Sequence, residues 1–122
     1  MTGSGSAIER LGRWLDTLAS TKQRMAREDA ELFATFRQLT EASRVVVAAH
    51  VDHLAGQAAR IVADGVAAGE LSDVDPAVTG RAVLHATARF HHPGHAEEWG
   101  DPSVAADLSA VWALLVAGLL AR

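Results

Sequence analysis

Leu108-Ser-Ala-Val-Trp-Ala-Leu-Leu-Val-Ala-Gly-Leu-Leu-Ala121 contains no charged side chain, and it lies between Asp107 and Arg122. A helix that packs on one side carries a polar stripe on the other. Here only Ser109 and Gly118 interrupt the apolar run. Its 14 residues are too few to cross a bilayer, which takes roughly 20. In water such a helix must be covered on more than one face, and in a chain of this length a second copy is the natural cover. Self-association is the first property the sequence implies.

The helices before it are read from their ends. Asp101-Pro102-Ser103 and Asp75-Pro76 both look like starts, with the acid capping and the proline in the first turn, where its missing N–H costs nothing. The helix opened at Asp75-Pro76 is expected to run through Val83, Ala86 and Phe90 and stop at His92-Pro93-Gly94. Upstream, Val47, Val51, Leu54, Ala58, Ile61 and Val62 form the most regular apolar stripe, opposite Arg44, Asp52, Arg60 and Asp64. That helix ends near Gly69, a good left-handed terminator. Asp29 caps another helix with apolar residues Leu32, Phe33, Phe36 and Leu39, and Thr40-Glu-Ala-Ser43 leaves open whether it ends or kinks there. The first helix carries Ile8, Leu11, Leu15 and Leu18 over about four turns, with Trp14 at the stripe's edge, and a bend is expected in the polar stretch Thr21–Arg27. No segment alternates long enough to be a strand, and alanine is a strong helix former. The expected fold is all-α, a bundle of about five helices.

Composition narrows the partners. The net charge is −4, and the nearest approach to a basic cluster is Lys22-Gln-Arg-Met-Ala-Arg27. A nucleic-acid surface needs clustered cations to displace condensed counterions, so this domain is not expected to bind DNA or RNA itself. The absence of cysteine removes disulfides, thiolate metal sites and a cysteine nucleophile. Met1-Thr-Gly-Ser-Gly-Ser6 lacks the layout of a signal peptide and reads as a flexible leader or cloning scar, leaving residues 7–122 as the helical domain. The default location is the cytoplasm.

Six histidines raise the question of metal. His50 and His53, at i and i+3, can share an ion in principle, but one falls on the shoulder of the apolar face and the other toward solvent. His91, His92 and His95 cluster at a helix end with Glu97 and Glu98 close by, yet adjacent residues there point apart. A pH-sensitive loop is the plainer reading, and neither a metal nor any other cofactor is expected. No phosphate-binding glycine loop or nucleophile elbow is present. Asp73 and Asp75 sit beside a helix N-terminus, where capping accounts for them better than catalysis does. An enzyme is not expected.

Gly65-Val-Ala-Ala-Gly-Glu-Leu71, Asp75-Pro76, Arg89-Phe-His-His-Pro93 and Val111-Trp-Ala-Leu-Leu-Val-Ala-Gly-Leu119, in that order and spacing, resemble the C-terminal ligand-binding and dimerisation domain of TetR-family transcriptional regulators. The resemblance extends from Ala7 onward and implies an effector-sensing domain that dimerises through its last two helices. A full regulator of that family begins with a helix-turn-helix domain. Here a Gly/Ser leader runs straight into Ala7, so the chain is expected to be the sensing half alone, with DNA contacted only through a missing N-terminal domain.

Within an all-α sensor the ligand lies between helices, in a mostly apolar pocket with a few polar groups. The candidate pocket residues are Trp14, Phe33, Phe36, His50, Gln57 and Phe90, for a small apolar or aromatic molecule. The candidate dimer surface joins the helix Pro76–His92 to the last helix. Arg81, His85 and Arg89 would form the rim, Trp112, Leu115, Val116 and Leu119 would lie at or near the centre, Val111 would also belong to the interface, and Gly118 would allow close approach. A helical dimerisation module with no ligand of its own is the alternative.

Overall fold

Ser6 and Glu9 cap each other at the start of the first helix. The Ser6 hydroxyl accepts from the Glu9 N–H at 3.2 Å, and the Glu9 carboxylate accepts from the Ser6 N–H at 3.0 Å. The computed structural model describes residues 5–121. Helix α1, Ala7–Glu28, is unbroken. The bend expected at Thr21–Arg27 is absent because the polar side chains there are held from inside. Lys22 is buried, and the Gln23 amide donates to the Phe90 carbonyl at 2.9 Å. Asp29 caps α2, Ala30–Ala42, by accepting from the Leu32 N–H. Ser43 then adopts an extended backbone and caps α3, Arg44–Ala67, from the Val46 N–H. The question left open by Thr40–Ser43 is thereby answered: there are two helices, separated by one capping residue.

After α3 the chain turns at Gly69, whose φ of +76° requires a residue without Cβ. Asp75 caps α4, Pro76–Ala86, as its sequence predicts. This helix stops at Ala86 and does not run to Phe90. Thr87 folds its hydroxyl back on the Val83 carbonyl at 2.8 Å, and two short 3₁₀ turns follow, Ala88–Phe90 and Pro93–Glu98. The final helix, α5, is Val104–Leu119. The Asp-Pro device is not repeated here, because Pro102 lies outside the helix and Asp101 instead accepts from the Ser103 N–H at 2.8 Å. Among the described residues there is no strand beyond a single bridge between Leu71 and Leu120.

Leu11, Ala58, Val62, Leu71, Val83 and Leu119 form the main core, drawn from α1, α3, α4, α5 and the loop after α3. The closest packing is α3 on α4. It is set by Gly80, where a Cβ would stand 2.7 Å from the Ala59 nitrogen and 2.9 Å from the Ala55 carbonyl oxygen. Helix α5 lies along α1, with Val104, Leu108 and Val111 around Ala19 and Phe90, and Trp112, Leu115 and Leu119 against the main core.

That arrangement corrects the expected layout of α5. Trp112, Leu115 and Leu119 were expected at or near the centre of a contact with another chain, and Val111 elsewhere in it, yet all four face their own monomer. Leu108, Trp112, Leu115 and Leu119 follow the 4-3-4 spacing of a single helical stripe, and that stripe is the inner one. Val116 is half-buried. The outer face is Ala110, Ala113, Leu114, Ala117 and Gly118, with Leu114 76% exposed. The segments flanking α4 are tied to the two ends of α5. Arg89, just beyond α4, pairs with Asp107 in the first turn of α5, and Leu71 bridges Leu120.

Candidate functional site

A cavity of about 270 Å³ lies where α3, α4 and the two 3₁₀ turns meet. Val47, His50, Val51 and Leu54 come from α3, spaced so that one face of that helix supplies all four. Leu84 and His85 come from the end of α4, and Ala88, His91, His92 and Pro93 from the turns. The early stop of α4 creates the site. A helix continued to Phe90 would have carried His91 and His92 onward, whereas the turn brings them back over α3. The wall is apolar except for four imidazoles.

One of these imidazoles, His50, contacts a buried ammonium. Lys22 Nζ lies 3.1 Å from His50 Nε2 and 4.0 Å from the centre of the Phe36 ring. Phe36 in turn meets the His50 ring edge to face at 5.8 Å. Burial pushes the Lys22 ammonium down to about 8. Burial also pushes His91 down to about 4, with smaller contributions from the charges of His92, Lys22 and His50. His50 is lowered by burial and then by Lys22, and His92 by burial, His95 and Lys22. With their values lowered, His50, His91 and His92 are chiefly neutral at pH 7, each with one donor and one acceptor nitrogen. His91 Nε2 is engaged by the Thr87 hydroxyl at 2.9 Å.

The six pocket candidates do not gather in one place. His50 lines the cavity and Phe36 stands behind it. Trp14 and Gln57 bond to each other, indole N–H to amide oxygen at 2.9 Å, in a separate open groove between α1 and α3. Phe33 packs against Trp99 at 5.6 Å, and Phe90 is core. Lys22, Leu84, His91 and His92 were not among the candidates. Lys22 could have been found, since Leu11, Leu15, Leu18 and Lys22 continue one 4-3-4 stripe.

Among the dimer candidates, Arg81 pairs with Asp52 at 2.6 Å, His85 is exposed, and Arg89 is shared between Glu98 and Asp107. Among the described residues no three metal-ligating side chains are grouped to hold an ion. His50 turns to Lys22 while His53 turns to Gln57, and His95 pairs with Glu98. No helix among the described residues is long and apolar enough to cross a membrane.

Five α-helices and two short 3₁₀ turns, with no strand among the described residues, define an all-helical domain. The family model described as "Tetracyclin repressor-like, C-terminal domain" matches residues 7–112, and the chain belongs to that family. Membership places it among regulatory domains. Neither the curated proteins nor the solved structures contain a match to the chain.

Proposed function

We propose that this domain is the effector-sensing and homodimerising part of a TetR-like transcriptional regulator. The effector is a small, largely apolar molecule held between α3, α4 and the 3₁₀ turns. The observation that carries this reading is the 270 Å³ cavity, apolar but for its imidazoles, just below the usual ligand-pocket range of about 300–1,000 Å³. The cavity is built on the end of α4, and the segments flanking α4 are tied to the two ends of α5. A ligand that favours one setting of these helices would shift the population of dimer geometries. DNA contact is assigned to a helix-turn-helix domain of the parent regulator, since this domain carries a net charge of −4 and no basic cluster.

The test is a thermal-shift screen of small apolar and aromatic compounds, because a ligand that binds only the folded state stabilises it by mass action. Hits should be lost on Leu84→Trp, which fills the cavity, and kept on Trp14→Phe, which lies in the other groove. A screen with no hits would favour the second reading, a dimerisation module without a ligand.

A further inference from the structure

The α3–α4 cavity is bordered by cationic and donor groups that have no anion. Lys22 is only 7% exposed. Among the described residues its ammonium meets His50 Nε2 and the Phe36 ring, and no carboxylate bonds to Lys22, His50, His91 or His92. A buried ammonium whose hydrogen-bond partner is a neutral ring is an unusual arrangement, because burying a charge is costly without a counter-charge.

The neighbours fix the tautomers of two cavity histidines. An ammonium has no lone pair, so His50 Nε2 accepts from Lys22 and the ring proton sits on Nδ1. The Gly94 N–H donates to His92 Nδ1 at 3.0 Å, so the His92 proton sits on Nε2. Each ring thus keeps one N–H donor unused by the described residues, and both rings line the cavity. His50 is half-buried, and His92 is exposed at the cavity's edge. Beyond them the wall includes the aliphatic Val51, Leu54, Leu84 and Ala88 and the two remaining imidazoles, His85 and His91.

We propose, on the reading of this cavity as the effector site, that the effector is a small monocarboxylic acid with an apolar body. Its carboxylate accepts from His50 Nδ1–H and His92 Nε2–H, with the Lys22 charge behind His50, and its body lies against the aliphatic wall. The site holds one ammonium, so a single negative charge is matched, whereas a phosphate dianion would be left half-compensated in an apolar space. A volume of about 270 Å³ suits one ring or a short chain. A long acyl tail would not fit.

The experiment is calorimetric titration of the purified chain at pH 7 with benzoate and hexanoate, and with benzamide and hexanamide as uncharged counterparts of matching shape. The acids are expected to bind about tenfold or more tightly than the amides, the scale of a charge-assisted hydrogen bond in place of a neutral one. Lys22→Met should bind acid and amide alike. His92→Gln, at the exposed edge of the cavity, should weaken acid binding by more than it weakens amide binding. Equal affinities in the wild type, or an acid preference that survives both substitutions, would overturn the proposal. Amide binding with no advantage for the acids removes the acid but leaves the effector cavity standing. No binding by any of the four probes, together with an empty broader screen, removes both.

Discussion

His91 and Lys22 give the domain an acid-side and an alkaline-side signature. The buried His91 titrates at about 4 in the folded chain against about 6.5 when unfolded. The unfolded state therefore binds more protons between those values, and stability falls as pH drops through that window. His50 and His92 are lowered in the same direction. Melting temperature is expected to decline from pH 6.5 downward, before the carboxylates begin to titrate, and His91→Leu should flatten part of that decline. An unchanged slope would mean that His91 is not buried neutral. For Lys22 the folded value of about 8 lies below the ordinary lysine value of about 10.4. The charged form is disfavoured by folding at every pH below about 8, and the cost is relieved as pH climbs from there toward the ordinary value. At pH 7 Lys22→Met is thus expected to match the wild type or exceed it by up to about 2 kcal/mol in denaturant melts, discounted for the water that still reaches the ammonium. A loss of stability would show the ammonium to be a structural support.

The junction of α3 and α4 is the tightest contact between elements, and Gly80 makes it possible. Gly80→Ala puts a methyl group against the backbone of Ala55 and Ala59, where no rotamer can give way. The expected loss is about 1–3 kcal/mol in a urea titration, against the small gain that alanine brings to an ordinary helix interior. Because the cavity sits along the same junction, Gly80→Ala should also weaken any ligand found in the screen. How far the elements were readable follows the same local logic. Asp29, Ser43 and Asp75 carry side-chain oxygens that cap the next helix, so those starts, or in the case of Ser43 the site of the break, were visible in the residues themselves. The ends were less visible. Thr21–Arg27 looked solvated because it is polar, but the burial of Lys22 and the bond from Gln23 to Phe90 depend on elements distant in the chain. The cavity was the least legible feature. It requires α4 to stop at Thr87, and a threonine bonding back to the carbonyl four residues earlier is also common inside continuous helices.

At the scale of the whole molecule, α4 and α5 both leave apolar side chains uncovered. Leu114 is 76% exposed and Val78 on α4 is 67% exposed. Arg81 and His85 stand beside Val78 as a polar border. A two-fold contact made by α4 and α5 of each chain would cover both, and a stable one should bury on the order of 800 Å² per subunit. Light scattering at micromolar concentration is expected to give about twice the chain mass of 12.8 kDa. Leu114→Glu should reduce it to the single-chain value with the helical content intact, since that side chain touches little of its own monomer. Trp112→Ala should instead lower the melting temperature, because the Trp112 ring packs on Gly12 and the main core. A wild-type mass near 12.8 kDa would sink the dimer.

Glu70 lies in the loop between α3 and α4, yet it touches both extremities of the helical bundle. Its carboxylate accepts from the Ala7 N–H at 2.6 Å, and its carbonyl accepts from the Ala121 N–H at 3.0 Å. The first helix and the last therefore begin and finish beside the same residue. Chain order is then not essential to the architecture. A circular permutant, with Ala7 and Ala121 joined by a short glycine-rich bridge and new termini opened at the exposed Gly100, should fold to the same bundle and keep the same cavity.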